Sequence, residues 1–290
     1  MDSIAVVICT RNRARKLPAL FDSLAAAADA VLGACEFVVV DNGSTDDTRA
    51  TVESFAARSP APCRYVSEAR TGKSRALNTG VRSTGSPLLA FTDDDIVVAP
   101  DWLLRIRSEF LSDPGLDGLG GRVELRDPAC LPIATRTSRE RLALTREAFT
   151  LDNPQIIGCN MALRRGPLER AGGFDENLGP GSPGVSGEEV DLLYRLLFGG
   201  ARIAYVPEIL VFHDHERRPG DDHSALFEAY VRGRGAFYWK HGIAGDRCVL
   251  RAAYREVRRT MRAPRTAWRH LSALSAGAAA YAVRGRSAGR

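Results

Sequence analysis

The sequence predicts an α/β domain built on a largely parallel sheet with helices on both faces. Three observations carry that prediction. Strand-like apolar runs alternate with helix-like amphipathic segments from Ile4 to Phe91. Three of those runs lead directly into a polar residue, Thr10, Asp41 and Asp93, and in open α/β sheets the ligand crevice lies beyond the carboxyl ends of the strands. Finally, 290 residues with 44% hydrophobic and 26% charged content suit one large α/β domain or two smaller ones.

Each element has a local reason. Ile4–Cys9 is a β-branched strand, and Leu17–Ala30 a helix with one apolar face. Glu36–Val40 is a second strand ending at Asp41. Thr45–Arg58 reads as a helix capped by Ser44, with Asp46 and Asp47 near its positive end. Cys63–Val66 is a short strand, Ser74–Arg82 a helix, and Leu88–Phe91 a strand bounded by the turn residues Ser86 and Pro87. Asp101–Leu111 is an amphipathic helix closed by Asp113-Pro114-Gly115, followed by a strand at Leu119–Leu125. No element is assigned from Arg126 to Asn153. Ile156–Leu163 reads as a strand, Pro167–Ala171 as a short helix, and Asn177–Gly187 as a Gly/Pro-rich mobile loop beside the site. Glu188–Phe198 is a helix, and Ala201–Val206 and Leu210–Phe212 are strands separated by a break at Pro207. The tail from Arg247 is arginine-rich with a single glutamate, Glu256, and ends in a short Ala-rich segment.

The net charge of +5 admits anionic partners without choosing among them. The N-terminal MDSIAVVICT has no basic n-region and leads straight into a strand, so no secretory signal is expected. No apolar stretch approaches the roughly 20 residues that cross a bilayer. The six cysteines are scattered with no C-x-x-C pair, which suits free thiols in a reducing cytoplasm and argues against structural zinc.

The most informative residues are Asp93, Asp94 and Asp95, at the end of SPLLAFTDDDIVVAP. Like charges this close repel, so a buried strand ending on them suggests a purpose. Side chains alternate along a strand, and Asp93 and Asp95 on one side would form an oxygen-ligand site for Mg²⁺ or Mn²⁺. The plainer reading is a polar loop leading into the helix at Pro100-Asp101-Trp102.

The segments VVICTRNR, VVVDNGSTDDT, GKSRALNTG, LLAFTDDD, GCNMALRR, GGFDENLG and GEEVDLLYRL follow one another in the order found in glycosyltransferase family 2. The chain resembles that family over roughly residues 4 to 215. The resemblance implies a GT-A fold, a Rossmann-like mixed central sheet, and inverting transfer from a nucleoside-diphosphate sugar, with a UDP-sugar the expected donor. It implies residues 1–220 as the transferase domain, with 1–98 the nucleotide half and 99–220 the acceptor half. Residues 221–290 would then form a basic helical extension. Thr10, Arg11, Asn12 and Asp41 are expected at the base and ribose, where a carboxylate can accept the imide N–H of uracil. Asp41 would otherwise begin a turn into Asn42-Gly43. Lys73 and Arg75 are expected near the diphosphate, or else as solvated charges. Within the D-x-D, Asp95 is implied as metal ligand, Asp93 as metal or ribose ligand, and Asp94 as nucleotide-side or structural. His213 would complete the coordination, with His215 its rival.

An inverting displacement needs a carboxylate to take the acceptor's proton. The family's E-D pair reads here Glu188-Glu189, so Glu189 is the expected base, Asp191 the reserve, and Glu188 a structural residue at a helix start. Gly158-Cys159-Asn160-Met161 is implied under the acceptor, although Asn160 also suits a satisfied core amide. Trp102 suits core packing better than sugar stacking. Acceptors are a saccharide, lipid-linked or small molecule. Sugar-phosphate nucleotidyl transfer would want a Gly-rich loop, which Thr10-Arg11-Asn12-Arg13 lacks. Against a non-catalytic sugar-nucleotide-binding or nucleic-acid-binding protein, the acidic set would repel a phosphate backbone without metal. The expected location is cytoplasmic. The basic tail offers a peripheral contact with the membrane's inner face, a solvated surface or an oligomer contact.

Overall fold

The computed structural model describes residues 3–31, 33–145, 155–262 and 264–285. The chain forms two compact units. The first comprises 1–71, 75–173 and 192–220, and the second 72–74, 174–191 and 221–290.

The first unit is a mixed sheet. Its strands are β1 Ile4–Thr10, β2 Cys35–Asp41, β3 Cys63–Ser67, β4 Leu88–Asp93, β5 Ile96–Val98, β6 Gly118–Leu125, β7 Leu142–Ala143, β8 Met161–Arg164 and β9 Ile203–His213. They lie in the order β3-β2-β1-β4-β8-β6-β9-β5, with β7 also paired to β9. The pairings among β1 to β4 are parallel, whereas β8 runs antiparallel to both β4 and β6. Alternate side chains of the parallel strands feed two cores. Ile4, Val6, Ile8, Phe37 and Val39 pack with helices α1 (Leu17–Asp29), α2 (Thr48–Ala56) and α4 (Trp102–Ser112). Val38 and Val40 pack on the opposite face against Ala76 of α3 (Lys73–Arg82). The period-2 alternation of buried side chains on both faces explains why these strands read as continuous apolar runs. All six cysteines are free thiols, and burial pushes Cys35 and Cys63 up to about 11.

Three elements differ from the sequence reading, each for a physical reason. Helix α2 starts at Thr48, because Ser44 and Thr45 are used elsewhere: the Asn12 N–H donates to Ser44 Oγ at 2.9 Å and the Thr45 N–H to Asn12 Oδ1 at 2.7 Å. The run 156–163 is not one strand. A short 3₁₀ turn at Gly158–Asn160 precedes β8, followed by α5 (Arg165–Arg170). Pro207 does not break β9, because it lies in a bulge where Gly121 pairs with Val206 but Arg122 pairs with Leu210. Gly121 is needed there: a Cβ on it would fall 1.9 Å from the Ile209 carbonyl oxygen. Of the stretch left unassigned, β7 now occupies 142–143 and residues 146–153 lie outside the described residues.

The second unit holds three helices, α7 Ser224–Ile243, α8 Arg247–Met261 and α9 Pro264–Gly285, together with 174–191. Helix α6 (Glu188–Phe198) begins in this unit, and its residues from Leu192 belong to the first. Helices α7 and α9 approach backbone to backbone, and a Cβ on Gly277 would lie 1.9 Å from the Arg232 carbonyl oxygen. The Gly/Pro-rich loop is tied down by backbone and side-chain bonds: Lys73 N–H donates to Pro180 O at 2.9 Å, Ser74 Oγ to Leu178 O at 2.6 Å and Ser186 Oγ to Ala229 O at 2.9 Å. Among the described residues, no helix is long and apolar enough to cross a membrane.

Candidate active site

In the first unit, adjacent parallel strands bring Thr10, Asp41 and Asp93 to one end of the sheet. Asp41 is buried and already holds two donors, the Ser44 N–H and the Tyr65 hydroxyl, both at 2.8 Å. The turn reading of Asp41 is therefore realised, while a carboxylate has about four acceptor positions and keeps some of them. Arg11 is exposed, with Nη1 at 3.5 Å from Thr71 Oγ1. Asn12 has φ 53° and links the β1 and β2 loops through its bonds to Ser44 and Thr45. Arg75 is half-buried near the start of α3.

Asp94 and Asp95 form the turn from β4 into β5. Asp94 points to β1, where Thr10 Oγ1 donates to its Oδ2 at 2.8 Å. Burial pushes its carboxyl up to about 6, reinforced by the Asp95 charge and opposed by the Thr10 hydroxyl. Asp95 is 8% exposed and faces His213, 7% exposed, with His213 Nε2 at 3.3 Å from Asp95 Oδ1. Antiparallel pairing of Ile96 with His213 and the Asp214 N–H to Asp95 O bond at 2.8 Å fix this approach.

The pair fits a cation. His213 Nδ1 lies 3.4 Å from Ala134 O, and when Nδ1 carries the proton, Nε2 turns a lone pair toward the Asp95 carboxylate. Two acceptors this close are reconciled by a proton or a metal ion between them. One carboxylate and one imidazole suit Mn²⁺ or Mg²⁺ that shares its other positions with phosphate oxygens and water. No group of three or more His, Cys, Asp or Glu side chains forms a metal cage among the described residues. His215 has both ring nitrogens engaged, Nε2 with Leu131 O and Nδ1 with the Arg217 N–H, each at 3.0 Å. It packs edge-on against His213, and burial draws its pKa down. The segment is anchored by buried Lys16, whose Nζ reaches Asp214 Oδ2 at 3.3 Å and Glu216 Oε1 at 2.7 Å.

Asn160 proves to be a core amide. Trp102 Nε1 donates to its Oδ1 at 2.9 Å, and its Nδ2 donates to Arg122 O at 3.0 Å and Ile209 O at 2.9 Å. It thus satisfies two carbonyls at the bulge of β6 and β9. Asn160→Ala should lower stability by about 3 kcal/mol in urea denaturation, because three buried polar groups lose their partner. A loss below about 1 kcal/mol would overturn that role.

In the second unit, buried Glu188 pairs with Lys73 at 3.4 Å, at the first turns of α6 and α3. Asp191 is 0% exposed and bound by Lys240 Nζ at 2.8 Å and His241 Nε2 at 2.8 Å. Lys240 also reaches Asp175 at 2.6 Å, which accepts the Tyr281 hydroxyl at 2.7 Å. Lysine and these hydrogen bonds hold Asp175 below its ordinary pKa against the opposing effect of burial, which is the largest single influence. A carboxylate closed to solvent and held by two basic side chains is poorly suited to take a proton from an external hydroxyl, which disfavours the reserve reading of Asp191. Glu189 in the same turn is half-buried.

Several contacts were invisible in the sequence reading: Tyr65 on Asp41, the Lys240 and His241 pairing of Asp191, and a bidentate pair of Arg70 and Glu68 at 3.0 and 2.9 Å. Arg70 is the main reason the Glu68 carboxyl falls to about 2. The opposite charges two residues apart, just before GKSRALNTG, were the available signal.

A mixed sheet with acids at its parallel strand tips, an antiparallel strand within it and C-terminal helices define a GT-A fold. The chain belongs to glycosyltransferase family 2, whose model matches residues 5–172. It is 29% identical over 227 residues to the pre-mycofactocin glycosyltransferase of Mycobacterium tuberculosis (strain CDC 1551 / Oshkosh), covering 75% of this chain and 44% of that protein. It is 38% identical over 221 residues to the validoxylamine A glucosyltransferase of Streptomyces hygroscopicus subsp. jinggangensis (strain 5008), covering 67% and 51%. The chain thus spans about half the length of these relatives. By fold it is similar to the mannosyltransferase PcManGT from Pyrobaculum calidifontis, solved with GDP-Man and Mn²⁺: TM-score 0.64, 21% identity, covering 99% of this chain and 80% of that one. It is also similar to S. aureus TarS solved with UDP-GlcNAc, with TM-score 0.59, 19% identity, and 79% and 64% coverage.

Proposed function

We propose that this glycosyltransferase is inverting and divalent-metal dependent, moving a sugar from a nucleoside-diphosphate sugar to an acceptor hydroxyl. The observation that carries this is the approach of His213, at the end of β9, to Asp95 in the turn after β4. Asp95 and His213 would hold Mn²⁺ or Mg²⁺, with Asp93 beside them, and the ion would supply Lewis-acid neutralisation of the departing diphosphate. Asp41 is assigned to the base through its remaining acceptor positions, with Thr10, Arg11 and Asn12 around the nucleoside. Asp94 acts through Thr10 as a positioning residue. Arg75 is assigned to the diphosphate. Lys73 is placed there less directly, since it already neutralises Glu188.

Glu189 accepts the acceptor's hydroxyl proton as that oxygen bonds to the anomeric carbon. The bond from that carbon to the diphosphate breaks with its electron pair, and one displacement inverts the centre. A UDP-sugar is the first donor to test, with a GDP-sugar the main competitor because PcManGT and TarS were solved with GDP-Man and UDP-GlcNAc respectively.

The test is donor turnover across a panel of sugar nucleotides with Mn²⁺, Mg²⁺ or EDTA. Turnover should require the ion and select one donor, and Asp95→Asn should lower kcat/KM by about a thousandfold. Activity that survives complete chelation would eliminate the metal roles of Asp95 and His213.

A further inference from the structure

We infer that α8 is a docking surface for an anionic phospholipid membrane. This inference does not depend on the chemistry assigned above. Helix α8 turns a thin seam of Val249, Glu256 and Thr260 inward. Glu256 is the sole acid between Arg247 and Arg262; it is 3% exposed and held from inside by the Arg234 guanidinium, Nε at 2.9 Å, with His270 Nε2 at 2.8 Å. Arg247, Arg251, Arg255 and Arg258 on α8 and Arg262 just after it are exposed, and the helix itself adds no second acid among them. Beside that row, Leu250, Tyr254, Val257 and Met261 are 39% to 62% exposed. Their spacing of four, three and four places them on one stripe about 60° wide at roughly 100° per residue.

An exposed apolar stripe bordered along one side by arginines matches the interface of a charged bilayer. The stripe enters the acyl boundary while guanidinium groups meet phosphate headgroups. A second copy of this chain fits poorly, because a two-fold contact would bring two arginine rows together. Nucleic acid fits poorly too: three of the four stripe residues are not aromatic, whereas single-strand grooves use aromatic platforms.

The test is flotation of the full chain with vesicles of phosphatidylcholine alone, or with about a third phosphatidylglycerol. We expect partition onto the anionic vesicles only, falling at least tenfold between about 0.05 and 0.5 M NaCl. Arg251→Gln with Arg255→Gln should lower partition about 25-fold, at roughly fivefold per charge. Tyr254→Ser with Met261→Ser should lower it about tenfold at low salt, with unchanged melting temperature because both side chains face solvent. Failure to prefer anionic vesicles overturns the inference. So does full binding by the Tyr254/Met261 variant, which would leave charge alone as the cause. A stripe-dependent dimer in light scattering without vesicle binding assigns the face to a second copy instead. Vesicle binding needs no sugar donor, so its failure leaves the glycosyl-transfer reading untouched.

Discussion

Glu189→Gln should lower kcat by about a thousandfold while leaving donor affinity within about twofold. The amide keeps the shape and the hydrogen-bonding reach of the carboxylate but cannot accept a proton, and general-base contributions run from about 10² to 10⁴. Because the interaction is made only as the acceptor oxygen loses its proton, the loss should fall on kcat rather than on ground-state binding. Nucleotide-sugar titration separates the two, since the proposal assigns donor binding to Asp41 and Asp95 and gives Glu189 only the proton transfer. Glu189→Asp is the useful companion. It keeps the base and withdraws it by about a bond length, so part of the activity should return. If Glu189→Gln stays within tenfold of the parent enzyme, the base lies elsewhere in the chain.

That prediction rests on a distinction that sequence alone left open. GEEVDLLYRL offers three carboxylates in one helical turn, and the order of residues does not say which of them is tied to distant basic side chains. For one of them the partners lie far away in the chain: Asp191 is bound by Lys240 and His241, 49 and 50 residues on. The strand tips were legible for the opposite reason. Apolar runs ending on Thr10, Asp41 and Asp93 are local patterns, and parallel pairing carries their ends to one end of the sheet whatever follows. Irregular elements resisted reading because their causes are tertiary. Ile156 and Ile157 look like the start of a strand, yet Asn160 must turn inward to serve the carbonyls of Arg122 and Ile209. Pro207 looks like a break, yet glycine on the neighbouring strand makes room for a bulge. The same holds for the tail, where the single glutamate that would soften its positive charge is folded inside.

Lys240→Met should destabilise the second unit by about 4 kcal/mol. Lys240 bridges Asp175 and Asp191, and Asp191 has no exposed surface, so loss of the ammonium removes the positive charge and N–H donors between two carboxylates, one of them out of reach of water. Breaking one partner of a buried ion pair costs roughly 3–5 kcal/mol, more than the net worth of the intact pair, because the remaining charge stays buried. Urea unfolding followed through Trp239 and Trp268, both in the second unit, reads the loss directly. The double variant Lys240→Met with Asp191→Leu sharpens the argument. Removing the stranded charge should recover a good part of the loss, since an apolar replacement has nothing to desolvate, whereas simple loss of side-chain contacts would make the two changes additive. Additive losses would assign Lys240 to packing. Recovery in the double variant would assign it to charge, and would make the network a support for the turn that carries Glu189, one residue after Glu188 and two before Asp191. On that outcome Lys240→Met should also lower kcat more than it raises KM, an effect that packing loss in a remote helix would not produce.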